Sequence, residues 1–235
     1  MNDAPAGNRN ETAYVAAWIK APEWRHPLAS RLGAYWYLKL AGIPAFIAVF
    51  FVAYFWTLES ALFPVTTMPA TLFDHLITFR AEALPLYLSL WIYVSLPPSL
   101  LDDRRELFSY GFVAGALAVV GLGIFLLCPT DISRPDIDWS LYPAFAPLKG
   151  HNASGNACPS LHAAFAVFSA IWLDRIVRRM GRHPVIRILN ACWCVGILYS
   201  TLATKQHVAL DLVAGSALGV AGAALKLRRT TPAPA

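Results

Sequence analysis

The sequence predicts an all-α fold: a polytopic membrane protein with about six transmembrane helices. Of its 235 residues 57% are hydrophobic and only 14% are charged, with a mean hydropathy of +0.50. A soluble domain carries about a quarter charged residues. Six apolar stretches each reach the roughly 20 residues that a bilayer-spanning helix needs. The Lys and Arg residues then fall mostly on one side of the layout those stretches define.

Taken in order, residues 1–32 are polar, with Trp18, Trp24 and Pro27 interspersed, and read as a cytoplasmic or interfacial lead-in. The membrane domain covers 33–228. Its first span, 33–57, opens with Tyr35, Trp36 and Tyr37, which suit the headgroup level. That stretch starts too late and runs too long for a cleaved signal peptide. An outer loop, 58–80, offers Leu62, Phe63, Leu72, Phe73 and Ile77 to the membrane surface. The second span, 81–101, contains Pro85, Pro97 and Pro98, tolerable where neighbouring helices re-satisfy the freed carbonyls. The third, 107–128, leads into the longest loop, about 129–159, which is rich in proline; loops of that length are often functional. The last three spans lie near 160–178, 185–203 and 207–226, and 229–235 form a short cytoplasmic tail.

An even number of spans puts both termini on one side. That side holds 14 of the 19 basic residues and the opposite side 4 (Arg80, Arg134, Lys149 and Lys205), with Lys39 inside the first span. By the positive-inside rule the termini are cytoplasmic, and the compact chain suits a bacterial inner membrane. The net charge of +5 is therefore a topology signal. Its partner is the lipid bilayer with its anionic headgroups, and not nucleic acid.

Gly111 with Gly115, and Gly215 with Gly219, repeat at the four-residue spacing that lets membrane helices approach closely, so both pairs are expected to pack. Cys192 and Cys194 fall inside the fifth span as apolar fillers. Cys128 and Cys158 flank the long loop at the outer surface, where disulfides persist. Either they bridge, stapling the loop's start to its end, or both stay free thiols.

Ionisable groups at membrane depth are costly unless they function. His207 and Asp211 are four residues apart and share one helix face. The carboxylate can then accept a hydrogen bond from one imidazole nitrogen, leaving the other unprotonated and nucleophilic. The plainer alternative is a structural pair in a non-catalytic membrane protein. Pro159-Ser160-Leu161-His162 opens the fourth span, where proline suits a first turn and free N–H groups attract an anion such as phosphate. Ser160 either caps the helix or donates to a phosphate oxygen. His162 is a candidate general acid, or else an incidental histidine at a capped helix start. No Cys/His or carboxylate cluster has metal-ligand spacing, so no metal and no cofactor is expected.

Together these segments resemble the type 2 phosphatidic acid phosphatase superfamily, which also includes vanadium haloperoxidases. That family carries K-x6-R-P, then P-S-G-H, then S-R-x5-H-x3-D. Here the second motif is Pro159-Ser160-Leu161-His162, with leucine for glycine. In the third, Ser200, His207 and Asp211 keep their places and Thr201 replaces arginine. In the first, Arg134 and Pro135 remain while Leu127 takes the lysine position. The resemblance covers about residues 128–219.

The resemblance implies that His207 attacks phosphorus to form a phosphohistidine, while Asp211 orients it and stabilises its positive charge. His162 protonates the leaving group and then activates water or an acceptor alcohol. Arg134 binds phosphate, and Lys205, one turn beyond Thr201 if the helix already runs there, is the expected stand-in for the missing arginine, with Lys149 second. The Thr201 and Leu161 variant looks more like the inositol phosphorylceramide synthase branch, which transfers a headgroup to an alcohol instead of water. The expected function is a metal-independent lipid phosphatase. It would act on the phosphate monoester or diphosphate of a phosphorylated membrane lipid at the outer face. Transfer to a lipid or polyol alcohol is the alternative. Six spans do not suit the diffusible oxidant of a haloperoxidase.

Overall fold

The computed structural model describes residues 25–133, 136–146, 155–181 and 184–227. A short helix, α1 (Arg25–Gly33), turns through Tyr35 (φ 53) into α2 (Trp36–Glu59). With 24 residues, α2 is about 36 Å long. Only Lys39, Phe50 and Thr57 on it are buried, whereas Leu40, Val49, Val52 and Trp56 are exposed. An apolar face of that length, uncovered by protein, belongs in hydrocarbon.

The loop that follows holds β1 (Thr66–Met68) and α3 (Leu72–Leu76). A tight turn at Ala81–Ala83 then feeds α4 (Leu84–Leu88) and α5 (Leu90–Leu100). The Tyr93 N–H donates to the Ser89 carbonyl at 2.9 Å, carrying the ladder across the joint, so Ala81–Leu100 acts as one 20-residue apolar span. Its prolines do not break it: Pro85 sits in the first turn of α4, and Pro97 and Pro98 are buried near the end of α5.

Next comes α6 (Arg104–Leu127), whose start is capped by the Asp103 carboxylate accepting from the Arg105 N–H at 2.6 Å. Tyr110, Val113, Ala114, Leu117, Ala118, Gly121, Leu122 and Phe125 are buried, a helical stripe, while Phe108, Phe112 and Val119 on the other side are exposed. After β2 (Thr130–Ile132) the chain enters α7 (Leu161–Arg179), α8 (Pro184–Ala203) and α9 (Ala209–Leu227).

All six apolar stretches of the sequence are helical. Four of these helices (α2, Ala81–Leu100, α6 and α8) are long and apolar enough to cross a membrane. The central helix, α7, is not among them, because it ends in Asp174, Arg175, Arg178 and Arg179. It packs against α9, α8, α5 and α6, and Ala163, Ala164, Ala166, Phe168 and Ser169 have no exposed surface. A helix surrounded by protein answers to its neighbours and not to lipid.

The closest seam is that between α7 and α9. A Cβ at Gly215 would run into the Ser160 carbonyl, and one at Gly219 into that of Ala164. The packing expected of this glycine pair is present. For Gly111 and Gly115 it is corrected: a Cβ at either meets nothing within 4 Å, because the buried stripe of α6 runs along its other side.

The two loops are joined by extended chain. β1 pairs with β2 in parallel, Thr66 opposite Thr130, and Thr130 also bridges Asn156 on its other side. This pairing staples the long loop's start to its end, the task the sequence offered to a disulfide. Cys128 and Cys158 are free thiols, the first exposed and the second half-buried. Burial, then the nearby Asp211 charge, pushes the Cys158 thiol above its ordinary pKa.

Candidate active site

The reversal between α8 and α9 sets the position of His207. Ser200 and Thr201 are fully buried in the last turn of α8. The Thr201 carbonyl accepts from the Gln206 N–H at 3.1 Å and from the His207 N–H at 3.3 Å, and Lys205 adopts a left-handed conformation (φ 54). Both are devices by which helix C-termini satisfy their last carbonyls. The chain therefore turns within a few residues and starts α9 beside the end of α8.

Asp211 locks that turn. Its Oδ1 accepts from the Val208 N–H at 3.1 Å, its Oδ2 lies 2.9 Å from Nδ1 of His207, and its side chain has no exposed surface. A carboxylate accepts and does not donate, so Nδ1 carries the proton and Nε2 of His207 keeps its lone pair. The Asp211 backbone carbonyl also accepts the Ser160 N–H at 3.0 Å, which joins the second motif to the third.

His162 stands opposite, in the first turn of α7. Its ring stacks on Tyr87 with centroids 4.1 Å apart and an interplanar angle of 13°, and it meets Trp91 edge-on at 6.0 Å. It is hydrogen-bonded to the Tyr87 backbone, while its buried Nε2 has no partner among the described residues. The rings of His162 and His207 lie 6.2 Å apart by centroid, close enough for both to reach one phosphoryl group.

Both histidines line a cavity of about 450 Å³. Its lining is largely aromatic: Phe50, Phe51, Tyr54 and Phe55 of α2, with Tyr87 and with Trp91, whose ring packs on that of Phe51 at 4.7 Å. The same lining carries Asp131, Asn156, Gln206 and the two imidazoles. A second, apolar cavity of about 630 Å³ shares Phe50, Trp91 and Phe165 with the first and continues along α2, α5 and α6.

Of the residues singled out in the sequence, His162, His207 and Asp211 come together. Ser160 is the helix cap: its Oγ accepts from the Ala163 N–H at 3.2 Å, and it is fully buried. For Lys205 the premise of a continuous helix is corrected. The helix does not run through it, and its ammonium turns away from the cavity to donate to the carbonyls of Asp74 (2.8 Å) and Ile77 at the end of α3. Burial pushes its pKa below the ordinary ammonium value, and Asp74 pulls the other way. Arg134 and Lys149 lie outside the described residues.

The sequence reading missed Asn156, Asp131, Gln206 and Tyr87. Asn156 and Gln206 are loop residues and Asp131 sits in a three-residue strand, none with a spacing signal, and Tyr87 looks like any aromatic in an apolar span. No curated protein and no solved structure matches the chain at a significant level. The PAP2 superfamily model does match, over residues 107–231, more than half of the chain and all of the helices that carry the His–Asp pair and His162. Members of that superfamily are phosphatases or phosphotransferases acting on phosphorylated substrates. On that match and this arrangement of side chains, the chain belongs to the PAP2 superfamily.

Proposed function

We propose that this protein is a membrane lipid phosphatase working through a phosphohistidine. The observation that carries the reading is the oriented pair, Nδ1 of His207 on a fully buried Asp211, facing the unpartnered Nε2 of His162 across one cavity. Nε2 of His207 attacks phosphorus and the bond to the leaving oxygen breaks. Asp211 stabilises the imidazolium character that develops on His207. His162 takes a proton on Nε2 as the anionic phosphoryl group enters beside it, delivers that proton to the leaving group and then, as a base, takes one from water, which releases phosphate from His207. Arg134 and Lys149, from the long loop, supply positive charge to the phosphoryl oxygens. No step requires a metal.

A lipid substrate is supported by the aromatic lining and by the apolar cavity that continues from it, which suit an acyl or prenyl chain. The excess of basic residues on the side of the termini supports a site at the extracytoplasmic face of a bacterial inner membrane. A second reading is transfer of the phosphoryl-headgroup to an alcohol. It is favoured by Asp131 in the cavity lining, since a carboxylate accepts from a hydroxyl group but repels a phosphate dianion.

The test is phosphate release from a panel of lipid monophosphates and diphosphates by the purified protein in detergent. The wild type should release phosphate, and His207→Ala should lose at least about 10⁴-fold in kcat/KM while remaining folded. Full activity in that variant would remove the nucleophile from the reading. If phosphate is not released but the phosphoryl group appears on an added alcohol, transfer is the activity.

A further inference from the structure

Asn156 is buried, with 8% exposure, and both polar atoms of its side chain lack a hydrogen-bond partner among the described residues. A buried amide left in that condition is destabilising, and native proteins keep few of them. Its backbone, by contrast, is held on both sides of the residue. The Thr130 N–H donates to the Gly155 carbonyl at 3.2 Å, and the Ala157 N–H returns to the Thr130 carbonyl at 2.9 Å. The Thr130 hydroxyl then accepts the Cys158 N–H at 2.8 Å.

The bridge thus fixes the position of the amide and satisfies the backbone, while the amide itself faces the cavity that holds both histidines. Two buried polar groups in that cavity, Nε2 of His162 and the Asn156 amide, lack a partner among the described residues. Thr201, where the family has an arginine, cannot serve there, because its hydroxyl donates to the Leu198 carbonyl at 2.7 Å within α8.

We infer that Asn156 is a substrate-binding residue that holds the reacting phosphoryl group beside His207. Its NH2 donates to a non-bridging phosphoryl oxygen, and its carbonyl oxygen accepts from the hydroxyl of the incoming water or alcohol. A neutral donor on a backbone fixed by the Thr130 bridge stabilises charge growing on that oxygen without reorganising. This rests on the phosphoryl-transfer reading above, and its test separates the two.

The probe is orthovanadate, which adopts the five-coordinate geometry of a phosphorus under attack. The thermal midpoint of the purified protein in detergent is measured with and without it, alongside phosphate release, for the wild type, Asn156→Leu and Asn156→Asp. Leu keeps the branching and heavy-atom count of Asn, has the cavity beside it for its extra bulk, and removes the unpaired amide, so Asn156→Leu should melt no lower than the wild type. It should lose the vanadate-induced shift and at least about 100-fold in kcat/KM, the loss typical of one oxyanion donor. Asn156→Asp, which repels phosphate, should lose the shift as well.

A vanadate shift preserved in both variants overturns the inference, and so does a fall in melting temperature that tracks the loss of activity, since that marks a structural amide. If the wild type hydrolyses lipid phosphates and both variants match it, the inference falls and the phosphatase reading stands. If the wild type binds vanadate through Asn156 but hydrolyses none of the lipids, the inference stands and the hydrolytic reading falls. If the wild type neither binds nor turns over, both fall.

Discussion

At the end of the bundle away from the histidines, Glu106 meets Arg179 at 2.7 Å and Arg175 at 3.6 Å. Asp174 there meets Arg178 at 2.7 Å and Arg187 at 2.6 Å. At the histidine end, Nε2 of His162 and the whole amide of Asn156 have no partner among the described residues. The ion pairs are also partly exposed, where leaving a group unpaired would cost little, whereas the unpartnered groups are buried, where it costs most. Polar groups that hold the fold together are thus paired where pairing is cheap. Two further buried groups without a partner among the described residues, the Ser109 hydroxyl and the Trp172 indole N–H, lie toward the ion-paired end, so what sets the histidine end apart is that its unsatisfied groups line the cavity shared by both histidines.

The comparison breaks most visibly at Asp211, which is fully paired and yet at the site. Asp211→Asn keeps the shape and can still accept the Val208 N–H. It offers His207 an amide in place of a carboxylate, so the imidazole loses the partner that fixes its tautomer. Turnover should fall by about 10³- to 10⁴-fold, with helical content unchanged by circular dichroism. Activity within tenfold of the wild type would make the pair a strut like those at the other end.

The next effect is on stability. Gly219→Ala forces a Cβ against the Ala164 carbonyl, so the α7–α9 seam must open. Overpacking of this kind costs about 1–3 kcal/mol. Because the Ser160–Asp211 bond crosses the same seam, turnover should drop along with the thermal midpoint. Gly115→Ala, facing nothing within 4 Å, is the control and should leave both unchanged. Equal melting of the two variants would mean that the seam is softer than the contact implies.

What the sequence revealed and what it hid divide along the same line. Helices were legible because lipid imposes length and apolarity residue by residue, and even the proline-bearing Ala81–Leu100 formed where predicted. His207 and Asp211 were legible because one helical turn relates them, and His162 because it opens a helix behind a capping serine. Asn156, Asp131 and Tyr87 were not, since three separate segments bring them together and no local periodicity records that. The backbone at Lys205 was misread for a related reason. Its spacing from Thr201 implied a continuous helix, but the helix ends at Ala203, and a left-handed turn sends the ammonium toward α3.

Lys205 therefore offers the finest test, because it lies at the histidine end yet behaves as a strut. Its ammonium and the Asp74 carboxylate, which accepts the Ala209 N–H at 2.8 Å, tie the 58–80 loop to the start of α9. Lys205→Met keeps most of the stem and strands the carbonyls of Asp74 and Ile77. The expected loss is about 1–2 kcal/mol of stability, with kcat/KM within about threefold of the wild type. A pH series adds a check with a definite sign. Burial holds the folded pKa of Lys205 below the ordinary 10.5, so between those two values the unfolded chain binds more protons. Wild-type stability should rise with pH across that window, and the gap to Lys205→Met should widen. A large drop in kcat/KM with stability unchanged would instead return the ammonium to the phosphate.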